Sequence, residues 1–169
     1  MEKDHIARTL ILLKPDALER GIVGEIVRRF ERVGAKIVGL RMLVSTEDAA
    51  RAHYTSDIAR RRGNTVRERM IKMLTSGPIV ALVLEGVGII EVARKLVGDT
   101  EPSKAAPGTI RGDFAHVSFG HADERGIGVF NLIHASASKE EAEAEIKVWF
   151  KPEELVPHTP AYTKFTIHE

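Results

Sequence analysis

The stretch NLIHASASKEEAEAEIKVWF, residues 131–150, joins a short apolar run to an amphipathic segment through a connection of small residues. Its first part reads as a strand near 129–135 and its second as a helix over 139–150, with Ser138 and Glu141 in the S-x-x-E spacing of a capping box. His134 closes the strand. Small neighbours leave its ring accessible, and a buried strand end holds it still. Along the helix Ala142, Ile146, Trp149 and Phe150 mark the inward stripe, and Glu145 lies on the same side. A carboxylate facing the core needs a partner. The polar groups nearest in sequence are His134 and Ser136. A carboxylate that accepts from one imidazole nitrogen fixes the tautomer and leaves the other nitrogen as a nucleophile.

Outward from this strand and helix, the chain alternates between the two periodicities. RTLILLK (8–14) is short, apolar and stopped by the proline of KPD, as a buried strand would be. IVGEIVRRFERVGA places Ile22, Ile26, Phe30 and Val33 on one helical stripe, with Gly34 as its stop. A second strand is expected over 36–43, a helix capped by Ser45 or Thr46 and running to Tyr54, a further helix over 66–75, a strand over 79–85 and a helix ended by Gly98. Residues 99–128 read mostly as loop, and a loop of that length in a compact domain is usually functional. The order is β-α-β-α-β-α-β with an extra helical segment after the second strand. Periodicity leaves two architectures open, a doubly wound parallel sheet and an antiparallel ferredoxin-like sheet with helices on one face.

The 169 residues suit one domain spanning 1–169. Lys and Arg number 25 against 24 Asp and Glu, a balance that argues against blanket attraction to nucleic acid or to an anionic membrane. Any anion site must be built from a few placed cations. With no cysteine, thiolate metal sites and cysteine nucleophiles are excluded, and a reducing cytoplasm is the expected home. The charged N-terminus does not read as a secretory signal, and PIVALVLEGVGII is too short to span a bilayer.

Three cations stand out: Lys14 at the end of the first strand, Arg94 before GDTEP, and Arg111 in PGTIRGDF, where Gly108, Gly112 and Thr109 allow close approach. Arg forks and a Lys point charge recognise phosphate where no glycine-rich phosphate loop exists, and neither common nucleotide fingerprint occurs here. The seven histidines show no metal-ligand spacing, so a metal is expected to arrive with a substrate. The basic run ARRRGNTVRER (59–69) lacks interleaved aromatics for stacking bases and reads as a solvated helix face.

Taken together, KPDALERGIVGEIVRRFE (14–31), GDTEP (98–102), APGTIRGDF (106–114), NLIHASAS (131–138) and WFKPEEL (149–155) resemble the nucleoside diphosphate kinase family. The resemblance runs from about residue 8 to 156, with the motifs in the family's order. It implies a ferredoxin-like antiparallel four-stranded sheet with helices packed on it. It implies an enzyme that passes the γ-phosphate of a nucleoside triphosphate to a nucleoside diphosphate by a ping-pong route. By this resemblance His134 takes the phosphoryl group, Ser136 and Glu145 hold its ring, and Lys14, Arg94, Thr100 and Arg111 bind phosphates. Asn131 binds sugar and nucleotide, and Tyr54 stands near the histidine. Mg²⁺ brought with the nucleotide phosphates and a homo-oligomer, hexameric or tetrameric, are implied as well.

Three stretches depart from the family pattern. TSDIARRRGNTVRERMIKM (55–73) is longer and lacks the phenylalanine whose ring commonly lies against the base, HVSFGHADERGIG (116–128) is longer, and Ala137 replaces a common Asp. An Arg guanidinium plane or an aliphatic side chain would have to meet the base instead. The rival reading is a nucleotide- or RNA-binding homologue that has lost turnover. A nucleophile backed by Ser136 and Glu145 has no use in a pure binder, which weighs against it.

Overall fold

The computed structural model describes residues 5–166. Four strands, β1 (Ile6–Leu13), β2 (Lys36–Val44), β3 (Pro78–Val87) and β4 (Ile133–Ala135), form one sheet in the order β2-β3-β1-β4, with every neighbouring pair antiparallel. This is the ferredoxin-like arrangement, and it decides between the two architectures that periodicity left open.

Helices cover both faces, not one. On the first face α2 (Val23–Arg32) and α6 (Ile89–Val97) bring Ile26, Phe30, Ile90 and Ala93 against Ile11, Leu13, Leu82 and Leu84. On the second, α3 (Glu47–His53), α5 (Asn64–Leu74) and α9 (Lys139–Trp149) bring Ala50, Leu74, Ile146 and Trp149 against Leu10, Leu12, Ala81 and Val83. Odd and even positions of β1 and β3 are thus both buried. That is why these strands read as continuous apolar runs instead of alternating ones. Burying a Leu or Ile side chain in this way is worth roughly 1.5–3 kcal/mol, so the two central strands anchor whatever is attached to their ends.

Several local expectations are corrected. The proline of KPD does end the strand, but it also opens a short helix, α1 (Pro15–Glu19), as N1 prolines do. Val33 is 48% exposed, because α2 ends at Arg32 and the turn into Gly34 (φ +78°) swings it outward. A helix α4 (Ser56–Arg62) precedes α5. Within 99–128 lie α7 (Ile110–Phe114) and α8 (Phe119–Glu124), capped by the Thr109 and Ser118 side chains, and a 3-10 turn at Pro102–Lys104. Helices of five or six residues are too short to print a period in sequence. At α9 the Ser138 hydroxyl accepts the Glu141 N–H, yet Glu141 turns to the Ala137 N–H, so the box is not reciprocal. A final short helix, α10, covers Thr163–Thr166. No helix of the described residues is long and apolar enough to cross a membrane.

Candidate active site

The sheet delivers its functional groups through the ends of β1 and β4, which pair side by side, with His134 opposite Leu12. Helix α9 then folds back over β1 and brings Glu145 beneath the histidine. Its Oε2 lies 2.9 Å from His134 Nε2 and accepts the Ser136 hydroxyl at 2.6 Å, while Ser136 Oγ in turn accepts the Leu10 N–H. The carboxylate that sequence placed on the core side is therefore satisfied by the two groups nearest it in sequence. With Nε2–H donated to Glu145, the ring's lone pair resides on Nδ1. The His134 side chain is 22% exposed, so an incoming group can reach it.

His53, which sequence reading did not single out, fixes the plane of that ring. Fully buried at the end of α3, it meets His134 edge to face at 4.4 Å between centroids and accepts the Trp149 indole N–H at its own Nδ1. Burial, with His134 and Lys14 adding, holds its pKa well below the ordinary value, so it packs as a neutral ring. The only signal in sequence was its position before Tyr54. Tyr54 is buried beside it, and its hydroxyl finds no partner among the described residues.

The segment entering β4 is strained. Leu132 has φ +70°, and the Ile133 N–H bonds back to the Asn131 carbonyl, a γ-turn that is rare for a residue with a side chain. Three groups hold it there. Asp16 Oδ2 accepts the Leu132 N–H, the Lys14 N–H donates to the Leu132 carbonyl, and Arg111 donates to the carbonyls of Asn131 and Ile133. Asp16 was missed in sequence, where KPD read only as a strand stop. Its carboxyl pKa is raised by burial, against the pull of Lys14.

Arg111 also donates to Gly98 and Asp99 carbonyls, so four of the guanidinium's five N–H groups are spent on backbone and one remains. The sequence treated this residue as a phosphate contact alone. The structure makes it first an anchor for the β4 entry. Lys14 Nζ donates to Asn131 Oδ1 at 2.6 Å, and Asn131 Nδ2 to the Thr100 carbonyl.

A cavity of about 580 Å³ is lined by Lys14, Tyr54, Arg94, Thr100, Arg111, Asn131, His134 and Glu145, and Ser136, which does not line it, is joined to it through its hydrogen bond to Glu145. The basic run contributes to the lining as well. Arg61 and Arg62 border this cavity while remaining exposed to solvent, whereas Arg67 donates to the carbonyls of Arg51 and Tyr54 and Arg69 pairs with Asp123. The solvated-face reading of 59–69 holds for α4, which has no buried residue, although two of its arginines also border the cavity.

The cations repel one another. Burial, then Arg111 and more weakly Arg62, pushes the Lys14 ammonium down to about 8, and burial with a contribution from Arg94 pushes Arg111 down to about 10. Charges held together against their own repulsion mark an anion site. The cavity's carboxylates are already engaged: Asp57 with Arg60 and Arg61, Asp99 with the Glu101 N–H, Glu141 with the Ala137 N–H, and Glu145 as above. They do not form an oxygen cage for a hard cation, which suits a Mg²⁺ held by phosphate oxygens and water. His53, His134 and Glu145 do cluster closely enough for a metal, but that nitrogen-rich set, of which His53 is buried and the other two half-buried, suits a softer ion.

Fold and site together define a phosphate-handling protein on a ferredoxin-like sheet, with a carboxylate-held imidazole inside a ring of cations. The family model described as nucleoside diphosphate kinase matches residues 7–155, and the chain belongs to that family. It is an enzyme of phosphoryl transfer between nucleotides. Nucleoside diphosphate kinases of Borreliella burgdorferi and a Roseiflexus strain are 46% and 48% identical over 89% and 88% of this chain, each covered to 91% of its own length. Among solved structures, a transition state mimic of the Borrelia burgdorferi enzyme with bound vanadate and ADP superposes with a TM-score of 0.95 at 43% identity, covering 96% of this chain and 98% of that one. An NDP kinase from Pyrobaculum aerophilum superposes at 0.84 with 39% identity, covering 90% of this chain and 100% of that one.

Proposed function

We propose that His134 is the group phosphorylated in this kinase, and that the single unit 1–169 carries out both halves of the exchange in one cavity. The observation that carries this is the hydrogen bond from Nε2 to Glu145, which leaves Nδ1 with a lone pair inside a cavity of self-repelling cations. Nδ1 attacks the γ-phosphorus, the P–N bond forms, the bond to the bridging oxygen breaks, and the nucleoside diphosphate leaves. The ring gains positive character as this happens, and Glu145 offsets it. A second nucleoside diphosphate then takes the phosphoryl group by the reverse path.

Phosphoryl transfer asks mainly for alignment and for charge compensation at the equatorial oxygens. Arg94, the remaining N–H of Arg111 and Lys14 supply the second. Lys14 and Asn131 together present a donor and an acceptor to the ribose, and Thr100 and Tyr54 close the phosphate side. Mg²⁺ bound to the phosphates adds further compensation and orients them. The working form is a homo-oligomer. Strand β2 is a sheet edge whose Leu40, Met42 and Val44 are 56–66% exposed, a row that a second copy of the chain would cover.

The test is incubation with γ-labelled triphosphate. The wild-type chain should take up acid-labile, base-stable label and pass it to an added diphosphate, and His134→Ala should take up none. Absence of label on the wild type, or its retention in His134→Ala, would falsify the assignment.

A further inference from the structure

Lys14 differs from the chain's ion-paired lysines in what it touches. Lys36 lies against Glu85 and Lys104 against Glu101, and in the second pair the carboxylate holds the ammonium charged. Lys14 Nζ instead donates to a neutral amide oxygen, Asn131 Oδ1, and the carboxylate of Asp16 is turned to the Leu132 N–H. The charged groups that face it are Arg111 from α7, Asp16 from α1 and Arg62 from α4, with the neutral ring of His53 at the end of α3. Burial and the arginines outweigh Asp16 and hold the ammonium down to about 8. At pH 8 about half of Lys14 is therefore free amine, against roughly 0.3% of a lysine with the ordinary value of 10.5. A desolvated lysine beside another cation is a nucleophile.

Such an amine reacts only where an electrophile is brought to it. Lys14 is 4% exposed, so a reagent reaches it through the cavity that it lines. Arg94, Thr100 and Arg111 line the same space, and arginine forks hold phosphate oxygens. A small molecule whose phosphoryl group adjoins an electrophilic carbon is then anchored by the one and offers the other to Nζ, at a high effective concentration. Acyl phosphates have this build, and phosphate is also their leaving group. A bound phosphate offsets the share of the depression that Arg111 contributes and leaves burial, the larger share, in place.

We propose that Lys14 is a site of acylation by small acyl phosphates, which seat their phosphoryl group between Arg94 and Arg111, pass the acyl group to Nζ and so silence the cavity. Nζ attacks the carbonyl carbon and the C–N bond forms. The bond from that carbon to the bridging oxygen breaks, and inorganic phosphate leaves with the amine's proton. The product is a neutral amide whose N–H still suits Asn131 Oδ1, while the charge that meets nucleotide phosphates is gone. The proposal rests on the phosphate-holding half of the functional reading above and needs no turnover at His134.

The test incubates the full chain with acetyl phosphate at pH 8 and follows each lysine by peptide mass spectrometry. Lys14 should be acetylated about tenfold faster than the exposed Lys95, Lys139 and Lys147, because its larger free-amine fraction outweighs the lower nucleophilicity of a less basic amine. Excess inorganic phosphate should slow Lys14 and leave the other three unchanged, and Arg94→Ala should do the same. Acetic anhydride, an acyl donor without phosphate, should respond to neither. Repeating the reaction in His134→Ala keeps transfer of the phosphoryl group to the imidazole from draining the reagent. Turnover of the acetylated wild-type chain should fall in step with acetylation at Lys14. A Lys14 that reacts no faster than the exposed lysines, acetylation that ignores phosphate, or turnover that survives complete acetylation would each overturn the proposal. If Arg94→Ala proves poorly folded, the phosphate competition answers alone. A chain that fails here and still takes up label from γ-labelled triphosphate at His134 loses this proposal and keeps the kinase reading.

Discussion

Lys14 shows most directly how this site stores the means of binding an anion. Held at about 8 by burial and by Arg111, it is still charged at neutral pH but close to losing its proton. In the nucleotide-free protein, kcat/KM should therefore fall as pH rises through about 8, whereas kcat at saturating nucleotide should persist to higher pH, because bound phosphates favour the charged form. Steady-state profiles of both constants check this. The same residue weakens the fold. Between about 8 and the ordinary lysine value of 10.5 the unfolded chain binds a proton that the folded chain has released, so this residue's contribution makes stability rise with pH across that window. Below it the full penalty applies, about 3 kcal/mol. Lys14→Met removes that penalty and loses one hydrogen bond to Asn131, worth about 1 kcal/mol. The variant should be roughly 2 kcal/mol more stable at pH 7 in urea unfolding, with the gain gone above pH 10.5, and it should be nearly inactive.

At the scale of elements, the path from Gly98 to Phe114 is a brace for the strained entry to β4. Arg111 projects from α7, and α7 is set by close packing: a Cβ on Gly112 would collide with the Ala106 carbonyl and come within 2.9 Å of Thr109 Oγ1. The brace is tied to α2 by Arg29, which donates to the Gly108 carbonyl and pairs with Asp113, and to α1 through Arg20 and the Phe114 carbonyl. Gly112→Ala should cost about 1–3 kcal/mol by overpacking. Its activity should fall more than its stability explains, because Arg111 would release the carbonyls of Asn131 and Ile133. Thermal unfolding and turnover measured on the same preparation separate the two effects. The motif PGTIRGDF was legible as a string; that its arginine grips backbone 20 and 22 residues away was not.

For the whole molecule, the bulge in β2 decides which residues remain uncovered. The register of β2 on β3 shifts between Ile37 and Gly39, so Val38 and Leu43 both pack toward α9 while Leu40, Met42 and Val44 point to the other side. The sheet's helices leave that row bare. If the proposed homo-oligomer forms through this row, Met42→Glu should shift the chain toward a monomer in sedimentation or light scattering, with phosphoryl uptake retained in part. An unchanged mass, or a wild-type chain that is already monomeric, would remove the assembly.

What the sequence by itself determined was local. The apolar runs became strands and the amphipathic runs helices, with Glu145 on the inward side of α9 and the cationic positions spaced along the chain, because these follow from periodicity within ten or so residues. Nearly all the proposed site residues could be named by their motifs. Only the tertiary structure decided that the sheet is covered on both faces, that Arg61 and Arg62 border the cavity, that Asp16 and His53 support the histidine's strand and ring, and that Arg111 is mostly occupied by carbonyls. Each of these joins residues dozens of positions apart through burial and hydrogen-bond partners. No pattern along a single element carries such information.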